Sequence, residues 1–153
     1  MEKKLCRTLL QRSHAEPFGR LLGFEAVEVN PGFAVVRMRV RPELQNIFGT
    51  THGGAVFSLI DEAFQLACNG HGSLAVALNV NITYAASPGP GKALEAKAEE
   101  VHRTRRTASY YCDVREIEGG KLIASAQALA FNTQKDIDAV LADSDSQESL
   151  STG

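Results

Sequence analysis

Apolar and polar positions along this chain keep two different periods, and the switches between them outline its elements. Leu5, Leu9 and Arg12, with Leu10 beside them, follow helical spacing and predict a short amphipathic helix from Glu2 to Arg12. Pro17 and Gly19 then break the pattern. From Phe24 to Val29 and from Phe33 to Val40 the period falls to two, with a turn at Asn30-Pro31-Gly32. Val36, Met38 and Val40 share one face and Arg37, Arg39 and Arg41 the other, the pattern of a half-buried hairpin. Ala55 to Asn69 is the only long apolar run at helical spacing, closed by Asn69 and Gly70. It is apolar nearly all round, which predicts a helix buried in the middle of the molecule. Four strand candidates follow: Leu74 to Tyr84, Ala93 to Thr104, Thr107 to Glu116 and Leu122 to Phe131. Their breaks are Pro88-Gly89-Pro90-Gly91, the run Arg103 to Arg106, and Gly119-Gly120. No helix separates them, so they predict a largely antiparallel meander. The expected fold class is α+β, a curved antiparallel sheet around one long buried helix. Residues 1–153 read as one domain, with a polar, disordered tail from about 144 to 153.

Composition narrows the chemistry. A chain of 153 residues with 44% hydrophobic and 22% charged residues suits one sizeable core. A formal charge of −2 gives no general pull toward nucleic acid or membrane. Cys6, Cys68 and Cys112 are odd in number and lack C-x-x-C spacing, and His14, His52, His71 and His102 are scattered. No disulfide framework and no protein-borne metal is expected. The N-terminal apolar run is too short for a signal peptide, and no stretch reaches the roughly 18 apolar residues of a membrane span. The expected setting is reducing and cytoplasmic.

Three features carry candidate chemistry. The first is Asn46-x-x-Gly49-Thr50-x-His52-Gly53-Gly54, which leads directly into the buried helix. A helix N-terminus offers unpaired N–H groups, and glycines there let a ligand oxygen approach them, which suits polarisation of a carbonyl. The same pair of glycines also suits a tight loop-to-helix turn. The second is Asp61, which shares a helical stripe with Phe57, Phe64 and Cys68. Burial there would raise its pKa and make it a usable base or nucleophile; a structural carboxylate paired across an interface fits the same position. Glu62 points elsewhere, as a solvated or interface charge. The third is Arg103, Arg105 and Arg106 beside a turn, a phosphate-binding set or a solvated surplus of charge. Gly53 and Asp61 are eight residues apart, roughly 12 Å along a helix at 1.5 Å per residue. One substrate carbonyl meets both only if the two come from different chains, with helices antiparallel in a homodimer.

The run Asn46-Ile47-Phe48-Gly49-Thr50-Thr51-His52-Gly53-Gly54-Ala55-Val56-Phe57-Ser58-Leu59-Ile60-Asp61 closely resembles the PaaI-like branch of hotdog acyl-CoA thioesterases. Asn81-Ile82-Thr83-Tyr84, the Pro-Gly turn and Gly120-Lys121-Leu122-Ile123-Ala124 match the same course, and the resemblance covers roughly Leu21 to Phe131. It implies a hotdog fold, with dimers joined through edge strands and usually paired into tetramers. It implies hydrolysis of acyl-CoA to a carboxylic acid and coenzyme A, with no metal or prosthetic group. Asp61 would act on the thioester or on water, opposite the other subunit's His52-Gly53-Gly54 loop. Gly53 N–H would polarise the carbonyl, Asn46 and His52 would shape the loop, and Gly54 would lie beside the substrate. Arg103, Arg105 and Arg106 would meet the nucleotide phosphates. Ala77 stands where several relatives carry Ser or Thr to place water, leaving Asn79 as a substitute with Asn81 nearby, and Thr104 stands where the turn usually carries Gly.

Two rivals remain at this level. A hotdog acyl-CoA hydratase would pair the carboxylate with a separate catalytic His, and none is evident. A non-catalytic acyl-CoA binder would have no use for a buried Asp61. Neither the acyl group nor the choice between nucleophile and general base is legible.

Overall fold

The computed structural model describes residues 1–151. Helices α1 (Glu2–Ala15) and α2 (Pro17–Leu22) precede strands β1 (Glu25–Asn30) and β2 (Phe33–Arg39). Helix α3 (Gly53–Asn69) follows, then β3 (Ser73–Tyr84), β4 (Ala93–Arg103), β5 (Thr107–Glu116), β6 (Leu122–Asp136) and α4 (Ile137–Ser151). All strand pairings are antiparallel, in the order β1-β2-β4-β5-β6-β3. Helix α3 packs against β2, β3, β4 and β5 and fills the inside of the sheet, so the α+β hotdog arrangement is present. Its core side chains Val56, Leu59, Ile60, Ala63 and Phe64 meet the small inward residues of the sheet, among them Ala34, Ala96, Ala98 and Ala126. A 17-residue helix can lie this close to a sheet because alanines line the facing surface.

Four expectations are corrected. The first helix runs on to Ala15, because its inward stripe Leu5, Leu9 and Ser13 continues past Arg12. Pro17 does not simply break the pattern: it occupies the first turn of α2, where its missing N–H does no harm, and Gly23 at φ 78° closes that helix in the left-handed conformation. The last four strands are not one meander. Strands β4, β5 and β6 are, but β2 takes the other edge of β4, with Met38 opposite Leu94, so β3 crosses to the far side and pairs with β6. The polar C-terminus is helical to Ser151, because Asp136 caps it through Ala139 N at 3.0 Å and Arg12 holds Asp145 at 2.6 Å. Residues 152 and 153 of the expected tail lie outside the described residues. Among the described residues no helix is long and apolar enough to cross a membrane.

Candidate active site

The loop before α3 is tied by Asn46. Its Oδ1 accepts from Phe48 N at 2.9 Å and Thr50 N at 3.1 Å, while its Nδ2 donates to Thr50 Oγ1 at 2.9 Å. This lands His52 at the N-cap, where Nδ1 accepts from Gly54 N at 2.8 Å. A Cβ on Gly54 would sit 2.9 Å from that nitrogen, so the cap requires glycine there. The backbone oxygen of His52 accepts from Ala55 N and Val56 N at 3.0 and 3.4 Å. Of the four amides a helix start leaves open, here those of His52, Gly53, Gly54 and Ala55, three are taken, His52 N donating to Leu44 O at 2.7 Å. Gly53 N–H alone has no hydrogen-bond partner among the described residues. Helix polarity adds positive potential at that amide, which makes it a donor for a developing oxyanion.

Tyr84, at the end of β3, seats this peptide: its hydroxyl donates to Gly53 O at 3.1 Å and its ring lies 3.3 Å from where a Gly53 Cβ would be. Beside them, Thr51 is buried and its Oγ1 has no partner among the described residues. Thr51, Gly53, Tyr84 and Ser87 line one shared hollow. Sequence reasoning missed Tyr84 and Thr51 as site residues. Both stood inside the quoted runs, but only the fold brings the end of β3 onto the start of α3.

Asp61 lies two turns further along α3, and here the burial expectation is corrected. Gly54, Asp61 and Gln65 are exposed, because they share the side of α3 that the sheet leaves uncovered. Asp61 borders an apolar cavity of about 420 Å³ between α1, α3, β3 and α4. Partial desolvation there raises its pKa, with the charge of Glu16 adding to the effect. Glu62, expected as a solvated or interface charge, is the buried carboxyl within the chain. It accepts from Ser13 Oγ at 2.5 Å and from Gln65 Nε2 at 3.2 Å, because α1 lies across its side of the helix. Burial pushes Glu62 up to about 8, against the Ser13 hydrogen bond and with help from Glu16 and Asp61. Cys68, on the cavity wall, is pushed up to about 12 by burial and stays a neutral thiol at physiological pH.

The remaining residues are spread wider. Arg103, Arg105 and Arg106 are all exposed on the β4–β5 turn, with Arg105 within 3.5 Å of Gln134 Oε1. Arg103 borders a crevice shared with Cys68 and His71, near the C-terminal end of α3. Val80 and Ile82 pack inward from β3, so Asn79 and Asn81 take the opposite face, away from α3. Within one chain Gly53 and Asp61 open into different hollows and do not form a single site.

Residues 48–123 match the thioesterase superfamily. The chain is 34% identical over 108 residues to the acyl-coenzyme A thioesterase PaaI of Escherichia coli, a match that spans 68% of this chain and 77% of that one. The solved E. coli PaaI structure overlays with a TM-score of 0.79 at 29% identity, covering 86% of this chain and 98% of that chain. A variant of phenylacetic acid degradation protein PaaI from Thermus thermophilus overlays with a TM-score of 0.73 at 40% identity, covering 76% and 99%. A thioesterase protein of Streptococcus pneumoniae, solved with coenzyme A, overlays with a TM-score of 0.69 at 28% identity, covering 74% and 90%.

Proposed function

Since this chain belongs to the thioesterase superfamily, we propose that it hydrolyses acyl-coenzyme A at a site shared by two subunits, Gly53 from one and Asp61 from the other. It is an acyl-CoA thioesterase. The observation that carries the proposed site is the single unpaired amide, Gly53 N–H, at the start of a helix whose exposed side also bears Asp61. The spacing of about 12 Å along one helix keeps them from sharing a carbonyl within a chain. A second chain with its helix antiparallel brings one of each together twice, as two-fold symmetry requires.

The surface supports such pairing. Strand β3 is one of the two edges of the sheet and is twelve residues long, and Val76 and Leu78 on it are 44% and 56% exposed. Ile47 and Phe48, on the loop before α3, are 92% and 81% exposed. A long apolar edge is a template for another strand, and apolar loop tips mark contact surface. The assembly is a dimer through β3, alone or as half of a tetramer.

In the shared site the thioester oxygen accepts from Gly53 N–H. Asp61 takes a proton from water as the hydroxyl oxygen bonds to the carbonyl carbon; alternatively its carboxylate attacks first and water cleaves the anhydride. The C–S bond breaks, and coenzyme A leaves as the thiolate and gains a proton. The scheme uses no metal and no prosthetic group. The basic turn at Arg103, Arg105 and Arg106 meets the phosphates of coenzyme A, the ligand held by the streptococcal relative. Asn79 and Asn81 have no part in the chemistry of this scheme, since they face away from α3.

Free-thiol release over a panel of acyl-CoA esters tests the reading. Asp61→Asn should keep the fold and lose about 10² or more in kcat, the scale of a lost acid–base group. Hydrolysis surviving within a few-fold, with unchanged circular dichroism, makes Asp61 structural.

A further inference from the structure

The cavity beside Asp61 is closed by parts of the chain that lie outside the family match. Its floor is the start of β3 and one wall is Phe64 and Cys68 of α3. Leu9 of α1 forms the other wall, and Ile137 and Leu141 of α4 form the end. Both terminal helices lie outside residues 48–123. Helix α4 is fastened at two points. Ile137 N donates to Gly72 O at 3.1 Å. Arg12 donates to Leu141 O at 3.2 Å and to Ser144 Oγ at 3.3 Å, and pairs with Asp145 at 2.6 Å.

We propose that this cavity is the acyl pocket, that it takes an aliphatic chain of medium length, and that α4 is the wall that sets that length. The inference rests on the thioesterase reading above. A thioester carbonyl held at Asp61 must put its acyl group somewhere, and this is the apolar space that Asp61 borders. Small-molecule pockets are on the order of 300–1,000 Å³, and about 420 Å³ is more than an acetyl group needs and little for a long chain.

The lining selects the shape. Leu9, Ile137 and Leu141 are aliphatic, and Phe64 is the only aromatic residue present. It packs on Tyr110, centroids 5.2 Å apart at 65°, and is only 1% exposed, so little of its ring is open for stacking on an aryl group. Most polar groups of the lining are engaged: Ser13 and Gln65 with Glu62, Asn69 with the backbone of Ala75, and Arg12 with α4.

The test uses the full-length protein and its variants Leu141→Trp and Leu141→Ala, with acetyl- to dodecanoyl-CoA and phenylacetyl-CoA as substrates. In the parent, kcat/KM should peak at medium straight chains. Leu141→Trp should move the peak to shorter chains and lower the octanoyl-to-acetyl ratio about tenfold or more, the scale of an occluded hydrophobic pocket. Leu141→Ala should move the peak to longer chains. A peak that stays in place in both variants, or a parent that prefers phenylacetyl-CoA to octanoyl-CoA, overturns the proposal. If the parent cleaves no thioester, the thioesterase reading fails separately, and binding of octanoate decides the pocket by NMR. Perturbed Phe64 ring signals in the parent that are absent in Leu141→Trp support it, and no perturbation in the parent overturns it.

Discussion

The two ends of α3 are built by different means. The N-terminal end is made by its neighbours in sequence: Asn46 ties the loop, His52 caps the helix, and Gly54 makes room for the cap. The C-terminal half is made by distant segments. Ser13 of α1 reaches Glu62, the charge of Glu16, between α1 and α2, acts on Asp61, and α4 closes the cavity from the other terminus. A short motif can specify where a backbone amide points, because only a few local hydrogen bonds decide it. The surroundings of a carboxylate depend on which remote surface covers it, and adjacent residues on one helix can differ completely. Asp61 and Glu62 do so here, one open at a cavity and the other 5% exposed.

The largest expected effect breaks the local end. In Gly54→Ala the new Cβ meets His52 Nδ1 at 2.9 Å, so the cap must shift and carry the Gly53 peptide with it. A misplacement near 1 Å costs about 10² in rate, and loss of a cap costs about 1 kcal/mol of stability. Steady-state kinetics beside thermal unfolding should show the rate falling far more than stability does. Equal retention of both would mean that the cap does not position the amide.

A smaller effect is expected at the arginine turn, beyond the far end of α3. Arg103→Ala, Arg105→Ala and Arg106→Ala should each raise KM for acyl-CoA by up to about tenfold with kcat nearly unchanged, as uniform binding requires. Added salt should raise KM of the parent in the same way. An acyl-N-acetylcysteamine, which lacks the nucleotide, should be indifferent to all three changes. If the truncated substrate suffers equally, the turn supports the fold and not the phosphates.

The smallest effect on rate belongs to Glu62, where the remote surroundings act on stability. Burial raises its pKa from 4.5 to about 8, so the folded protein keeps a proton that the unfolded chain releases. That contribution is complete below about 4.5 and is lost as pH rises through about 8. Glu62→Gln is neutral at every pH and removes this titration. Between those two pH values the melting temperature of the parent should fall relative to that of the variant, with kcat at the optimum alike within about twofold. Parallel curves would place a charged Glu62 in the fold.

These differences explain what was legible in the sequence. The apolar run of α3 and the alternation of Val36, Met38 and Val40 were enough to define a buried helix in an antiparallel sheet, because burial imposes those periods directly. The placement of β3 at the far edge was not legible, since the partner of a strand depends on which edges other hairpins leave open. The helix at α4 was hidden by polar composition, and its hold comes largely from Arg12, at the opposite end of the chain. At the site, Gly53 and His52 were readable as a helix start. Asp61 was readable as chemistry but was assigned the burial that belongs to Glu62. Tyr84 and Thr51 needed the fold.

The central claim is that Gly53 and Asp61 act across a subunit boundary, and complementation between inactive chains tests it most directly. Asp61→Ala chains and Gly53→Val chains, each inactive alone, are mixed and allowed to exchange subunits, with exchange followed by native mass spectrometry. Random pairing makes half of the dimers mixed, and each mixed dimer carries one intact site of two. Free-thiol release should therefore recover to about a quarter of the parent rate. Full exchange with no recovery would contradict the shared site and return the chemistry to a single chain.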